Sequence, residues 1–135
     1  MDIRKVTDTF SVAPQIEIEE LAEVAALGFK SVICNRPDGE EMSQPETSAM
    51  KAAAEEAGLT FSNVPVISGA MTLEDVKANA AALEALEGPV LAYCRSGTRS
   101  ITLWAQDQIL HKGADVEDII TAAANAGYNL SGLRG

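Results

Sequence analysis

The sequence predicts one α/β domain, a mostly parallel sheet covered by helices on both faces. Three observations point there. Short apolar runs alternate with helix-period stretches along the whole chain, the pattern of strand–helix–strand units. Ser31-Val32-Ile33-Cys34 and Val90-Leu91-Ala92-Tyr93 are nearly continuous apolar runs, as expected of strands buried on both sides. The chain has 135 residues, 47% of them apolar, enough for one core without disulfides or a metal. Residues 1–135 are therefore read as a single domain.

The elements follow in order. Phe10-Ser11-Val12 is a short first strand, followed by Pro14. Ile18, Leu21, Val24, Ala25 and Leu27 recur at helical spacing from about Glu17, a start without a good N-cap, and Gly28 stops the helix. The strand Ser31–Cys34 leads into Asn35-Arg36-Pro37-Asp38-Gly39, which has turn chemistry. A helix from about Glu46 to Ala57 ends at Gly58, and Leu59 to Val66 holds the next strand, broken by Pro65. Thr72 caps a helix carrying Leu73, Val76, Ala80, Leu83 and Leu86, which ends at Gly88-Pro89. The strand Val90–Tyr93 runs directly into Cys94-Arg95-Ser96-Gly97-Thr98-Arg99. A helix spans about Ser100 to Lys112, with Gly113 after it. Asp115 caps the last helix, to about Ala126, and Gly127-Tyr128 to Gly135 is a short tail.

Composition narrows the function. The net charge is −10 and the sequence pI about 4.4, which argues against nucleic acid or an anionic membrane as partner. Two cysteines and one histidine, none at ligand spacing, give no structural zinc site and no disulfide framework. No segment approaches the roughly 20 apolar residues of a membrane span. Met1-Asp2-Ile3-Arg4-Lys5 leads into no apolar run, so no signal peptide is expected. A cytoplasmic protein with free thiols, without metal or cofactor, is the expectation.

The chemistry concentrates at Cys94. The thiolate is the nucleophilic form of cysteine, and three features of this loop favour negative charge on the sulfur. The loop joins a buried strand to a helix N-terminus, where free N–H groups and the helix dipole attract anions. Gly97 lets successive N–H groups turn inward as a nest. Arg95 and Arg99 bring positive charge into an acidic chain, and Arg99 can grip an oxyanion with two parallel hydrogen bonds. Ser96, Thr98 and Ser100 add hydroxyls, Ser100 as a donor to the thiolate or a helix cap. A cysteine at a strand end is commonly packing, but two arginines flanking a glycine beside it set this one apart.

The string Gly88-Pro89-Val90-Leu91-Ala92-Tyr93-Cys94-Arg95-Ser96-Gly97-Thr98-Arg99-Ser100 resembles the beta-lactamase hydrolase-like, phosphatase-like family, whose members are also described as sulfur transferases. Asn35-Arg36-Pro37-Asp38-Gly39 strengthens the resemblance, which runs on to Gly127-Tyr128-Asn129-Leu130-Ser131-Gly132-Leu133. It implies a phosphatase-like three-layer sandwich with a nucleophilic cysteine. Some members are fused to a metallo-hydrolase domain that oxidises persulfides, and a separate protein of that kind is an implied partner here. Cys34 stands where a small polar residue such as asparagine is expected, so no role for it is inherited.

The reaction is read from spacing and acids. Tyrosine phosphatases place five residues between cysteine and arginine; only four separate Cys94 from Arg99. The shorter cradle resembles rhodaneses, whose loop holds a persulfide sulfur, and Arg95 directly after the cysteine is also rhodanese-like. Phosphoester cleavage needs a general acid for the leaving oxygen, and the stretch from Val64 to Thr72 contains none. Asp38 is the substitute candidate. Sulfur transfer from thiosulfate to a thiol such as glutathione needs no such acid and is the favoured reading. A Cys94-dependent phosphatase acting on a phosphoester is the alternative, and a thiol redox or anion sensor using Cys34 and Cys94 the third. Asn35, Arg36 and Asp38 are candidate pocket residues, because they follow a strand whose carboxyl end should face Cys94. Tyr93 and Trp104 read as core and His111 as surface; Met42, Met50 and Met71 form no helical stripe and carry no cofactor.

Overall fold

The computed structural model describes residues 1–134; Gly135, the end of the expected tail, lies outside them. The order is β1 (Arg4–Thr7), β2 (Phe10–Ala13), a 3-10 turn (Ile18–Glu20) running into α1 (Leu21–Ala26), β3 (Ser31–Cys34) and α2 (Thr47–Glu56). Then come β4 (Thr60–Asn63), α3 (Leu73–Ala85), β5 (Val90–Tyr93), α4 (Thr98–His111), α5 (Val116–Asn125) and a last 3-10 turn (Ser131–Arg134). The five strands form one sheet in the order β1-β2-β5-β3-β4, with β1 antiparallel to β2 and the rest parallel.

Side-chain alternation makes the sandwich. Successive strand residues point to opposite faces. Phe10, Val12, Ile33, Val90 and Ala92 meet Ile101, Trp104, Ile119 and Ala123 of α4 and α5 on one face. Val32, Cys34, Leu91 and Tyr93 meet Leu21, Val24, Met50 and Ala54 of α1 and α2 on the other. The fully buried pattern of β2, β3 and β5 follows from this double cover. Trp104 packs in the core as expected, stacked on Phe10 with ring centroids 5.9 Å apart. Tyr93 is buried as well.

Three elements differ from the sequence reading, each for a physical reason. β1 was not expected, since Arg4 and Lys5 break any apolar pattern; it is an exposed edge strand, where charge is the usual protection against mispairing. The helix expected from Glu17 begins as a 3-10 turn, where the Glu20 carboxylate accepts the Glu17 N–H at 2.8 Å. β4, Thr60–Asn63, lies within the Leu59–Val66 stretch expected to hold it and ends before Pro65. α4 starts at Thr98, not Ser100, because Gly97 takes the N-cap position at φ 93° and Ser96 Oγ accepts the Thr98 N–H at 3.3 Å. Arg99 therefore leaves from the first helical turn rather than from the loop. Among the described residues no helix is long and apolar enough to cross a membrane.

Candidate active site

The carboxyl ends of β5 and β3 lie side by side, with Cys34 in register with Tyr93. Cys94 leaves β5 there, fully buried, and its Sγ accepts the Gly97 N–H at 3.1 Å. The turn that follows is anchored by the Gln15 N–H, which donates to the Arg95 carbonyl at 3.1 Å. Ser96 Oγ donates to Thr98 Oγ1 at 3.0 Å, so these two hydroxyls order each other at the rim. The loop expected to cradle an anion is thus a helix N-terminus whose first turn carries Thr98, Arg99 and Ser100.

Arg99 is set by a residue the sequence reading gave no role. Glu40 Oε2 accepts Nη1 at 2.7 Å and Glu40 Oε1 accepts Nη2 at 2.9 Å. Nη1 also donates to the Val66 carbonyl at 2.9 Å. Nε–H and the second Nη2–H, one edge of the planar fork, make no hydrogen bond to oxygen among the described residues, and the Cys94 sulfur interacts with the same guanidinium. The Arg99 hydrogen bonds, and next those of Arg36, hold the Glu40 carboxyl down to about 2. Glu40 in turn holds Arg99 protonated, and the Cys94 sulfur beside the guanidinium adds to the effect. Glu41 takes the second loop arginine: its Oε1 lies 3.0 Å from Arg95 Nε.

Arg36 backs this pair from below. Its buried side chain donates from Nε to Glu40 Oε1 at 2.9 Å and from Nη1 to Gln15 Oε1 at 3.0 Å. Nη2 sits 3.2 Å from Glu41 Oε1, close enough for an ion pair but not aligned as a hydrogen bond. Three arginines and two glutamates therefore form one network around the loop.

Three expected site residues serve the frame instead. Asp38 does not face the pocket. Its Oδ1 accepts the Thr47 N–H at 2.8 Å and the Thr47 hydroxyl at 2.7 Å, fixing the start of α2. Asn35 is fully buried and donates from Nδ2 to the Val64 carbonyl and to Asn79 Oδ1, both at 3.0 Å. Ser100 donates to Asn35 Oδ1 at 2.8 Å, so its proton is spent on the frame and not on the thiol. Cys34 points into the α1–α2 layer with Tyr93 and donates to the Arg36 carbonyl at 3.4 Å. Burial pushes its thiol up. His111 sits half-exposed at the end of α4, Nδ1 2.7 Å from Asp107 Oδ1.

An open depression of about 410 Å³ lies over the loop, lined by Ser68, Met71, Arg95, Thr98, Arg99 and Thr102 with Gly69 and Ser96. None of these carries a carboxyl. A larger one, about 650 Å³, lies at the amino ends of the strands around Thr9, Leu86 and Pro89. Parallel sheets bind at the carboxyl end, and the thiol and the paired arginines are there.

A family model described as the beta-lactamase hydrolase-like protein, phosphatase-like domain, matches residues 2–111. The chain belongs to that family. It is 37% identical over 131 residues to a beta-lactamase hydrolase-like protein of Xylella fastidiosa, covering 96% of this chain and 30% of that one. The chain thus spans under a third of the length of this curated relative. A candidate phosphatase of Neisseria meningitidis superposes with a TM-score of 0.88 at 39% identity, over 99% of this chain and 94% of that one. The core catalytic domain of a PP-IP phosphatase of S. cerevisiae superposes with a TM-score of 0.72 at 16% identity, over 98% and 80%. At that identity the likeness is one of fold. The phosphatase-like sandwich expected from the sequence is the fold observed.

Proposed function

We propose that the chain is a cysteine-dependent group-transfer enzyme in which Cys94 forms a covalent adduct with a small anion, and that the group carried is sulfur. One observation carries the choice: among the described residues every carboxyl at the loop is committed elsewhere, Glu41 to Arg95 and Arg36. Asp38 is spent on α2, and Glu40 is held ionised between two arginines. The depression over the loop, whose lining does not include the buried Cys94, has no carboxyl in it. A substrate at this site must lose a group that leaves unprotonated.

Thiosulfate meets that requirement. The Cys94 thiolate attacks the outer sulfur; the sulfur–sulfur bond breaks and its electron pair leaves with sulfite. Cys94 is left as a persulfide. An acceptor thiolate then attacks the outer persulfide sulfur, giving the acceptor persulfide and restoring the Cys94 thiolate. The free edge of the Arg99 fork and the N–H groups of the loop would hold the sulfonate oxygens. A low-molecular-weight thiol such as glutathione suits the small open site as acceptor. A separate persulfide-oxidising metallo-hydrolase is the partner class that would consume the product.

The relatives support a second reading. The Neisseria protein is described as a candidate phosphatase and the yeast domain as a PP-IP phosphatase, and the same thiolate could attack phosphorus to form a phosphocysteine that water cleaves. Without an acid, such an enzyme would favour esters with already acidic leaving groups.

The test is intact-mass spectrometry of the reduced protein after thiosulfate or glutathione persulfide, beside p-nitrophenyl phosphate turnover by the same preparation. A cyanide-removable gain of one sulfur on Cys94 with negligible phosphate release supports sulfur transfer. Cys94-dependent phosphate release without a sulfur adduct reverses the assignment.

A further inference from the structure

Three successive carbonyls of the Cys94 loop each meet a different donor. The Arg95 carbonyl accepts the Gln15 N–H at 3.1 Å, and the Gly97 carbonyl accepts the Ile101 N–H at 3.0 Å as the first bond of α4. The one between them, on Ser96, accepts the Tyr128 hydroxyl at 2.9 Å. Tyr128 lies beyond the stretch that the family model matches.

The Ser96 carbonyl and the Gly97 N–H belong to one planar peptide, pointing opposite ways. Tyr128 pins one end of that plane, and the Gly97 N–H reaches Cys94 Sγ at 3.1 Å from the other. We propose that Tyr128 is a positioning residue: its hydroxyl holds the Ser96–Gly97 peptide in the orientation that delivers an N–H to the Cys94 sulfur.

The peptide needs holding. Gly97 sits at φ 93°, where glycine moves between backbone states that other residues cannot reach. Ser96 is exposed, and the phenol gives its carbonyl a fixed partner in the orientation that turns the Gly97 N–H toward the buried sulfur. A Cβ at Gly97 would collide with the Tyr128 hydroxyl, so the ring also occupies the space a side chain would need.

Tyr128 is itself fixed. Its N–H donates to the Ala123 carbonyl at 2.9 Å, and the Gly127 N–H to the Ala124 carbonyl at 2.9 Å. With Gly127 at φ 93° this is a Schellman end to α5. Arg4 of β1 closes over it, donating to the Ala126 carbonyl at 3.4 Å. Burial, and then the charge of Cys94, push the Tyr128 phenol above its ordinary range. It therefore stays protonated and remains a donor.

The inference rests on Cys94 being the nucleophile, and the experiment separates the two. Alkylation by iodoacetamide is followed at the Cys94 peptide from about pH 6 to about pH 10, in wild type and in Tyr128→Phe, which keeps the ring and removes only the oxygen. The expected result is a rate about tenfold lower in the variant at neutral pH, the scale of one hydrogen bond to a charged group. The two proteins should converge at the alkaline end, with the melting temperature unchanged. A reactive wild type whose profile the variant superimposes overturns this inference alone. A uniform loss at every pH together with a lowered melting temperature also overturns it, since that marks mere structural support. Wild-type Cys94 no more reactive than Cys34 overturns the nucleophile reading and this one with it.

Discussion

Glu40 holds Arg99 with both carboxylate oxygens, at 2.7 and 2.9 Å, across 59 positions of sequence. The pair uses the outer nitrogens of the guanidinium. That orients its remaining edge and leaves it unspent for an oxyanion. Arg36 tethers the same carboxylate from the buried side, so the fork that would receive substrate is aimed by a residue substrate need not touch.

Glu40→Gln keeps the shape and removes the charge. Arg36, with a side chain 3% exposed, then loses its main counter-charge. Leaving a buried donor short of its charged partner costs on the order of 1–3 kcal/mol. The urea midpoint should fall with an unchanged slope, and the Cys94 adduct should form more slowly. Equal midpoints and rates would mean that Arg99 keeps its place unaided.

The same carboxylate sets an acid limit. Its folded value, about 2, lies below the ordinary 4.5. A depressed acid contributes stability in full above 4.5 and loses it as the pH falls toward 2. Wild type should therefore lose melting temperature more steeply than Glu40→Gln over that window, measured by circular dichroism. Parallel curves would remove Glu40 from the account.

Arg99→Lys replaces a two-pronged grip by a point charge. Protection of Cys94 from alkylation by sulfate or thiosulfate should need roughly tenfold more anion, about the loss of one charge-assisted hydrogen bond. Protection at the wild-type concentration would count against Arg99 as the anchor.

Asp38 separates a pocket role from a cap role. Asp38→Ala should cost about 1 kcal/mol of stability, the usual loss at a helix start. Adduct formation at Cys94 should proceed at the wild-type rate below the transition. A large rate loss at unchanged stability would return Asp38 to the chemistry.

The sequence displayed the parts of the fold that depend on near neighbours. Alternation of apolar runs with helical periods was enough for β2, β3, β5 and the helices, because double burial leaves a continuous apolar signature. β1 was hidden because an edge strand with Arg4 and Lys5 has no such signature. The Cys94 loop was legible because its cysteine, glycine and arginines are contiguous. Its partners were not, since a charge in a turn does not announce what it will face. Glu40 and Glu41 were given no role by the sequence, and the structure sets them against Arg99 and Arg95. Asn35, Asp38 and Ser100 were noticed for their chemistry, but their hydrogen bonds run to the frame. Tyr128 lay in an apparent tail, and only the turn at the end of α5 brings it to Ser96.

The stretch 37–46, which supplies Glu40 and Glu41, contains no helix or strand and is largely exposed. Segments of that kind open at a free energy well below that of the whole domain. The counter-charges of Arg95 and Arg99 thus sit on a segment held by side chains rather than by a helix or a strand ladder, through Asp38 on Thr47, Gln44 on the Pro37 carbonyl and Glu40 on Arg36.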